Sequence, residues 1–442
     1  MDTPVLIATI VLIGGMALFI AMGLPVAYAM GLPSTIAVII LLSYDNAALT
    51  SAQRILAGSN SFPLLAIPFF ILAGGLMNTG GIAQRLIDLA LVVSGRLPAS
   101  LAQTTVVANT LFGTVSGASV AAAAAVGTVL NPPMRQAGYD PKFSAMVNAV
   151  SSPAGMLLPP SNTFIVYSLV SGSSIAALFM AGVGPGLLWA LVCIIMVALY
   201  ARKHPELKAH GERPTLGQAM LVVLRAMPAL LMIVVVIGGI LGGFFTATES
   251  AVIAVLYCLA LGLLQRTLPV RSLPGVVLEA SKVTGIIMLL IGMSGVLGWV
   301  LSFAQLPQLV AESLLGLTDS RVVIVLIIMV VLLLAGTVMD PTPAILIFTP
   351  IFLPVVVELG ISPIHFGAMM VFNMCLGNIS PPIGNNLFVA ARVGEVRLEG
   401  LISKLWPFFW ALVIALFVVA FVPQLSEWLP TTLGFMELPA DK

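Results

Sequence analysis

Charged side chains are scarce: Asp, Glu, Lys and Arg make up 8% of this 442-residue chain, against about 25% in soluble domains. A surface that poor in charge would precipitate from water, which excludes a water-facing globular fold and makes a lipid bilayer the natural solvent. Eighteen basic and seventeen acidic residues leave a net charge of +1, too little for the positive field that nucleic acid demands. Soft metal ligands are few as well. Cys193, Cys258 and Cys375 lie in apolar stretches without ligand spacing and read as packing residues. His204 and His210 fall in a charged loop and His365 beside the end of an apolar run, none with a partner at ligand spacing. A membrane-embedded enzyme would need clustered acids or histidines, or a nucleophile beside a base, and the sequence offers no such cluster. The first apolar run starts right after Thr3, with no basic n-region before it and no small-residue cleavage site after a short core, so it is expected to stay as a true span.

What the chain does have is apolar residues, 60% of the total. Runs long enough to cross a bilayer, at about 20 residues each, lie near 4–22, 25–43, 62–80, 139–169, 175–201, 226–244, 247–265, 283–303, 364–390 and 405–424. Two more stretches, 98–136 and 321–358, are interrupted at mid-length by Thr114–Ser119 and Thr337–Thr342, which predicts re-entrant hairpins whose tips line a cavity. With the N-terminus outside, the segments 81–97, 135–142, 202–225, 266–282 and 391–404 fall inside and carry fifteen of the eighteen Lys and Arg residues; only Arg54, Arg321 and Lys442 fall outside. That asymmetry follows the positive-inside rule and predicts that both termini are periplasmic or extracellular.

The chain also resembles itself. Gly113-Thr114-Val115 recurs at Gly336-Thr337-Val338, Pro132 at Pro354, Gly138 with Pro141 and Phe143 at Gly360 with Pro363 and Phe366, and Pro159-Pro160 at Pro381-Pro382, all at a shift of 222 or 223. Each half then holds five crossings and one hairpin, and an odd number of crossings points the second copy the opposite way. The expected architecture is an all-α polytopic protein of two inverted-topology repeats, 1–222 and 223–442.

Each half carries two helix breaks, a hairpin tip and an interrupted span. The interruptions are Ser151–Gly155 with Pro159–Thr163, and Gly377–Asn386. Broken helices leave carbonyls free at one end and N–H groups free at the other, giving a cation site beside an anion site. Hydroxyl and amide oxygens of Ser116, Ser119, Thr342 and Asn378 suit a hard cation such as sodium. Asp340, at the tip of an otherwise apolar hairpin, is the acid expected at depth. The sodium candidates are Ser116, Gly155, Asp340, Thr342, Gly377 and Asn378; the solute candidates are Ser116, Ser119, Asn162, Thr342 and Asn385. The alternative for Ser116 and Asp340 is ordinary helix capping, and capping is the expected role of Glu249 after Thr246. No arginine falls at mid-membrane, so a carboxylated solute would have to be held by helix N-termini, hydroxyls and amides.

Several motifs resemble a known family: Pro68-Phe69-Phe70-Ile71-Leu72-Ala73-Gly74, Ser116-Gly117-Ala118-Ser119-Val120-Ala121, Gly138-Tyr139 to Phe143, Pro159-Pro160-Ser161-Asn162, Thr246-Ala247-Thr248-Glu249 and Ser380-Pro381-Pro382-Ile383-Gly384. Together they look like the large membrane subunit, DctM type, of the tripartite ATP-independent periplasmic (TRAP) transporters. The resemblance implies sodium-driven import of a small organic anion across a bacterial inner membrane and an elevator movement of the hairpins against a fixed scaffold. It also implies two partners, a small four-helix membrane subunit and a periplasmic solute-binding protein. Where some members carry an acid shortly after the Ser-Gly-x-x-Val-Ala run, this chain has Ala122, which puts the wiring of the first cation site in doubt. With nothing before Met1, the small subunit is expected to be a separate chain. A stand-alone ion-coupled carrier of the divalent-anion type would share the same repeat and hairpins.

Overall fold

In lipid every backbone N–H and C=O must find its partner inside the protein, and the chain answers with helix after helix. The computed structural model describes residues 3–204, 216–318, 320–381 and 383–436, so His210, Pro382 and Lys442 and the expected loop positions Lys208 and Arg213 lie outside the described residues. The first half contains α1 (Thr3–Ala21), α2 (Val26–Leu41), α3 (Tyr44–Ser59), α4 (Ala66–Thr79), α5 (Ile82–Ser94), α6 (Ser100–Ser116), α7 (Ser119–Gln136), α8 (Pro141–Ser151), the single turn α9 (Ala154–Leu157), α10 (Asn162–Ser171) and α11 (Ile175–Lys203). The second half contains α12 (Leu216–Leu241), α13 (Ala247–Leu264), α14 (Leu273–Phe303), α15 (Leu306–Leu317), α16 (Arg321–Val338), α17 (Pro341–Glu358), α18 (Pro363–Gly377), α19 (Asn385–Val393), α20 (Leu398–Phe421) and α21 (Gln424–Thr432). Among the described residues there is no β-strand.

Nine of the described helices are long and apolar enough to cross a membrane. Two of them, α16 and α17, are the arms of the 321–358 hairpin; the others coincide with spans expected from hydropathy. The expected span 25–43 is the shorter α2, and the spans 139–169 and 364–390 are the broken pairs α8–α10 and α18–α19.

Several helix ends follow directly from local sequence. Pro141 and Pro363 each open a helix at the position where a missing N–H costs nothing, behind Asp140, which accepts from Lys142 N at 3.0 Å, and Ser362, which accepts from His365 N at 3.1 Å. Thr246 and Glu249 form a reciprocal capping box at the start of α13, as expected. Gly117 closes α6 with φ +60°, a left-handed conformation that favours glycine.

All five segments expected as cytoplasmic loops are partly helical, 135–142 and 391–404 through the ends of α7, α8, α19 and α20. In 81–97, α5 buries Ile82, Leu86, Ile87 and Ala90 on one face, a helical period that a span-length criterion overlooks because Arg85 and Asp88 interrupt it. In 266–282, α14 already begins at Leu273 and carries Glu279 and Lys282 as an i,i+3 ion pair at 2.7 Å. In 202–225, α12 begins at Leu216. Helices α3, α15 and α21 are likewise additional to the expected spans.

Element boundaries recur along the chain. Helix α8 starts at Pro141 and α18 at Pro363, 222 residues on; α10 starts at Asn162 and α19 at Asn385, 223 on. A shift of 221 to 224 relates the starts of α6 and α7 to those of α16 and α17, of α11 to α20, and of α5 to α15. It also relates two backbone contacts. A Cβ on Gly113 would collide with the backbone of Gly155, and one on Gly336 would sit 3.0 Å from Gly377 Cα. In both halves the hairpin's first arm therefore touches the broken span, glycine on glycine. One element departs from the pattern: α3 and α4 are separate, whereas α14 runs unbroken for 31 residues.

The helices gather into two groups. One contains α2, α3, α4, α13 and α14, with α14 packed on α2, α3 and α4. The other contains the two hairpins, the two broken spans, α11, α20 and α21, interleaved so that α19 packs on α7 and α8 while α10 packs on α17.

Candidate functional site

Between these groups lies a cavity of about 1060 Å³. One wall comes from α2, α4 and α14, including Ala27, Asn78, Val276 and Glu279. The other comes from both hairpin tips and both broken spans, including Ser116–Ala121, Asn162, Asp340–Pro343 and Asn378.

At the first tip, α6 ends at Ser116 and α7 restarts at Ser119. The Ser116 hydroxyl makes only long contacts within its own turn, donating to Ala118 O at 3.3 Å. No side chain caps α7, since the residue before it is Ala118, so its first-turn N–H groups are left to the cavity. Helix α10 is uncapped too: Ser161 turns away to donate to Met156 O and pairs with Thr163 Oγ1 at 2.7 Å. Between them, the side-chain amide of Asn162 packs against the Cα of Gly117, where a Cβ would stand 2.9 Å from its nitrogen.

The second tip differs in chemistry. Pro341 and Pro343 remove two of the first N–H groups of α17, and the Asp340 carboxylate makes no cap hydrogen bond. Instead Asp340 Oδ1 accepts from Asn385 Nδ2 at 2.8 Å, and the residue is solvent-exposed. The alternative of simple capping is thus not what the Asp340 side chain does.

Side-chain amides of the second broken span knit these parts together. Asn378 Nδ2 donates to Ser119 Oγ at 3.0 Å, and Asn386 Nδ2 donates to Ser152 Oγ at 3.0 Å. Deeper in the first half, Asn109 Nδ2 reaches Ser151 Oγ at 2.8 Å and Asn148 Oδ1 at 3.0 Å, and Asn148 in turn donates to Ala123 O at 2.7 Å. All of these amides and serines are buried.

Of the residues singled out from sequence, Ser116, Ser119, Asn162, Asp340, Thr342 and Asn378 line the one cavity. Asn385 is joined to it through Asp340, while Gly155 and Gly377 stand behind the tips, against Gly113 and Gly336. Sequence reasoning missed Ser152, Asn386, Asn109 and Asn148. Their signal was present, because an amide inside an apolar run is costly unless it has a partner. Among the described residues no group of His, Cys, Asp and Glu could hold a transition metal. His365 is instead a buried structural residue, its Nδ1 2.7 Å from Ser426 Oγ and its Nε2 3.1 Å from Ala420 O, which ties α18 to α20 and α21.

An all-helical, multi-pass chain with paired hairpins and paired helix breaks around one central cavity defines a membrane transporter. The same architecture recurs in the YdaH transporter of Alcanivorax borkumensis, a crystal structure described as having an unusual topology, with a TM-score of 0.63 at 17% identity over 89% of this chain and 90% of that one. Residues 13–425 match the family model of the tripartite ATP-independent periplasmic transporter, DctM component, and the chain belongs to that family. Among its relatives are the uncharacterized protein YgiK of Salmonella typhimurium, 46% identical over 98% of this chain and 99% of that protein, and the isethionate TRAP transporter permease protein DctMQ of Oleidesulfovibrio alaskensis, 37% identical over 94% of this chain and 65% of that protein.

Proposed function

We propose that the chain is the membrane path of a sodium-coupled importer of a small organic acid, working with a small membrane subunit and a periplasmic solute-binding protein. The observation that carries this reading is the meeting of four helix breaks at one cavity, since interrupted helices at membrane depth supply ion and anion ligands together. Uncapped starts of α7 and α10 suit an acid group. For sodium, the oxygens of Ser116 and Gly155 serve in the first half and those of Thr342, Gly377 and Asn378 in the second; hydroxyl, amide and carbonyl oxygens fit a hard cation. Asp340 lines the same cavity and is the acidic sodium candidate of the second half. Two sodium ions with a monoanion move one net charge, worth about 2.3 kcal/mol per 100 mV, in addition to the sodium gradient itself.

The two groups of helices support an elevator movement: α2, α4 and α14 form one wall, and the hairpin-bearing group carries the other past it. The recurring boundaries support two inverted repeats, 1–222 and 223–442. The charge bias of the loops favours both termini in the periplasm and the chain in the bacterial inner membrane. The greater length of the isethionate relative leaves room for a small subunit within its own chain.

Reconstitution tests the reading. Vesicles containing this chain, the small subunit and the binding protein should accumulate labelled acid under an inward sodium gradient, and omission of either partner should abolish it. Uptake by this chain alone would move the reading to a stand-alone carrier of the divalent-anion type.

A further inference from the structure

We propose that the hairpin-bearing group holds one phosphatidylethanolamine molecule at its cytoplasmic end, the headgroup in a charged groove where the two halves meet and the acyl chains along α20. The groove has a volume of about 680 Å³ and is lined by the α7–α8 turn of the first half and by the α19–α20 turn and the start of α20 in the second. The charged residues lining it are Arg135, Asp140, Lys142, Glu395, Arg397 and Glu399. Three of these are spent on the protein itself. Arg135 pairs with Glu395 at 2.8 Å across the halves, while Asp140 caps α8 and faces Lys404 at 3.7 Å. Lys142, Arg397 and Glu399 are exposed and form no ion pair among the described residues.

Those three free charges are gathered at one helix turn. The stem of Lys142 lies across Gly400, whose missing side chain makes the room: a Cβ there would stand 3.0 Å from Lys142 Cε. The Lys142 ammonium is thereby brought to the first turn of α20, with Arg397 just before it and Glu399 within it. Two cations and one acid at such close quarters match a headgroup that carries a phosphate and, two carbons away, a primary ammonium. The phosphate accepts from Lys142 and Arg397, and the ammonium donates to Glu399. Phosphatidylglycerol has no ammonium and would leave Glu399 facing like charge; phosphatidylcholine has a quaternary nitrogen with no N–H to donate.

A surface for the acyl chains continues from the groove. Trp406 and Trp410 follow Glu399 by close to two and three helical turns, so they share its face of α20. Both are exposed, at 46% and 58%. At 1.5 Å per residue they stand about 10 and 16 Å along the axis from Glu399, where the glycerol backbone and upper acyl chains lie below a headgroup. This inference goes beyond the transport reading and borrows from it only the side of the membrane on which the groove lies.

The full chain in mild detergent, given equimolar phosphatidylethanolamine, phosphatidylglycerol and phosphatidylcholine with identical acyl chains, is examined by native mass spectrometry for the lipid it retains. Wild-type protein should keep one phosphatidylethanolamine at about three-fold or more the occupancy of either competitor, as the gain or loss of one exposed charge contact predicts. Lys142→Gln with Arg397→Gln should cut that retention about three-fold, and Glu399→Gln should carry the preference to phosphatidylglycerol. Arg225→Gln, on α12 and outside the groove, is the control and should change nothing. In vesicles, phosphatidylethanolamine with brominated chains should quench tryptophan emission more than brominated phosphatidylcholine, and Trp406→Phe with Trp410→Phe should erase the difference. Equal retention of the three lipids by wild-type protein, or a preference for phosphatidylglycerol, overturns the assignment. So does retention of phosphatidylethanolamine that is unchanged in both sets of groove variants. Stabilisation by inorganic phosphate with no lipid retained would overturn it as well, leaving a site for a free anion.

Discussion

The side-chain amide of Asn378 donates to Ser119 Oγ at 3.0 Å, joining the break in the second half to the hairpin tip of the first, 259 residues away in sequence. Both groups are buried, so the bond holds two of the four breaks together where water cannot substitute for a lost partner. Removing the hydroxyl in Ser119→Ala leaves the amide unpaired at a cost of about 1–3 kcal/mol. The expected outcome is a lower unfolding temperature in nanodiscs together with slower uptake, and recovery of both in Ser119→Thr. Wild-type stability in Ser119→Ala would show that the bond is dispensable.

The glycine contacts behind the tips predict a sharper effect. Gly113→Ala or Gly155→Ala drives a methyl group into facing backbone, and Gly336→Ala or Gly377→Ala does so less severely in the second half. Overpacking of this kind costs about 1–3 kcal/mol and sometimes more. Gly285, with nothing within 4 Å of a Cβ, is the control. Size-exclusion profiles and unfolding temperatures should rank the control nearest wild type and the first-half pair lowest.

Sodium dependence separates ligands from scaffolding. Ser116→Ala and Thr342→Ala should raise the sodium concentration needed for half-maximal uptake several-fold with little change in unfolding temperature. Uptake that keeps the wild-type sodium profile in both variants, at matched expression, would remove these hydroxyls from the coupling sites.

The capping box of α13 should behave in the reverse manner. Thr246 N donates to Glu249 Oε2 at 2.7 Å, and Glu249 N donates to Thr246 Oγ1 at 3.2 Å. Thr246→Ala should cost about 0.5–2 kcal/mol of stability while leaving the sodium and solute profiles as they were, measured by unfolding temperature and uptake side by side.

The sequence made the breaks legible because prolines, glycines and hydroxyl residues interrupt apolar runs at matched places, and the cavity gathers six of the residues picked on that basis. Asp340 was legible as an exceptional acid, but its direction was not: only the fold brings Asn385 to it and leaves the rest of the carboxylate facing the cavity. The amide ties of Asn109, Asn148 and Asn386 depend on partners from distant segments, which one-dimensional hydropathy does not register. Amphipathic helices such as α5 escaped for a related reason, since a run-length criterion averages over the very face that is buried.

Unbroken α14 has a mechanical consequence. At 1.5 Å per residue its 31 residues reach about 46 Å, against a hydrocarbon slab of about 30 Å. Such a rod must lean, or carry the Glu279–Lys282 turn out among the lipid headgroups. As α14 also forms one wall of the cavity, under the proposed elevator movement its lean would set how far along the membrane normal the hairpin-bearing group travels. Bilayer thickness would then govern turnover, with thin and thick acyl chains shifting the same protein between easier and harder strokes.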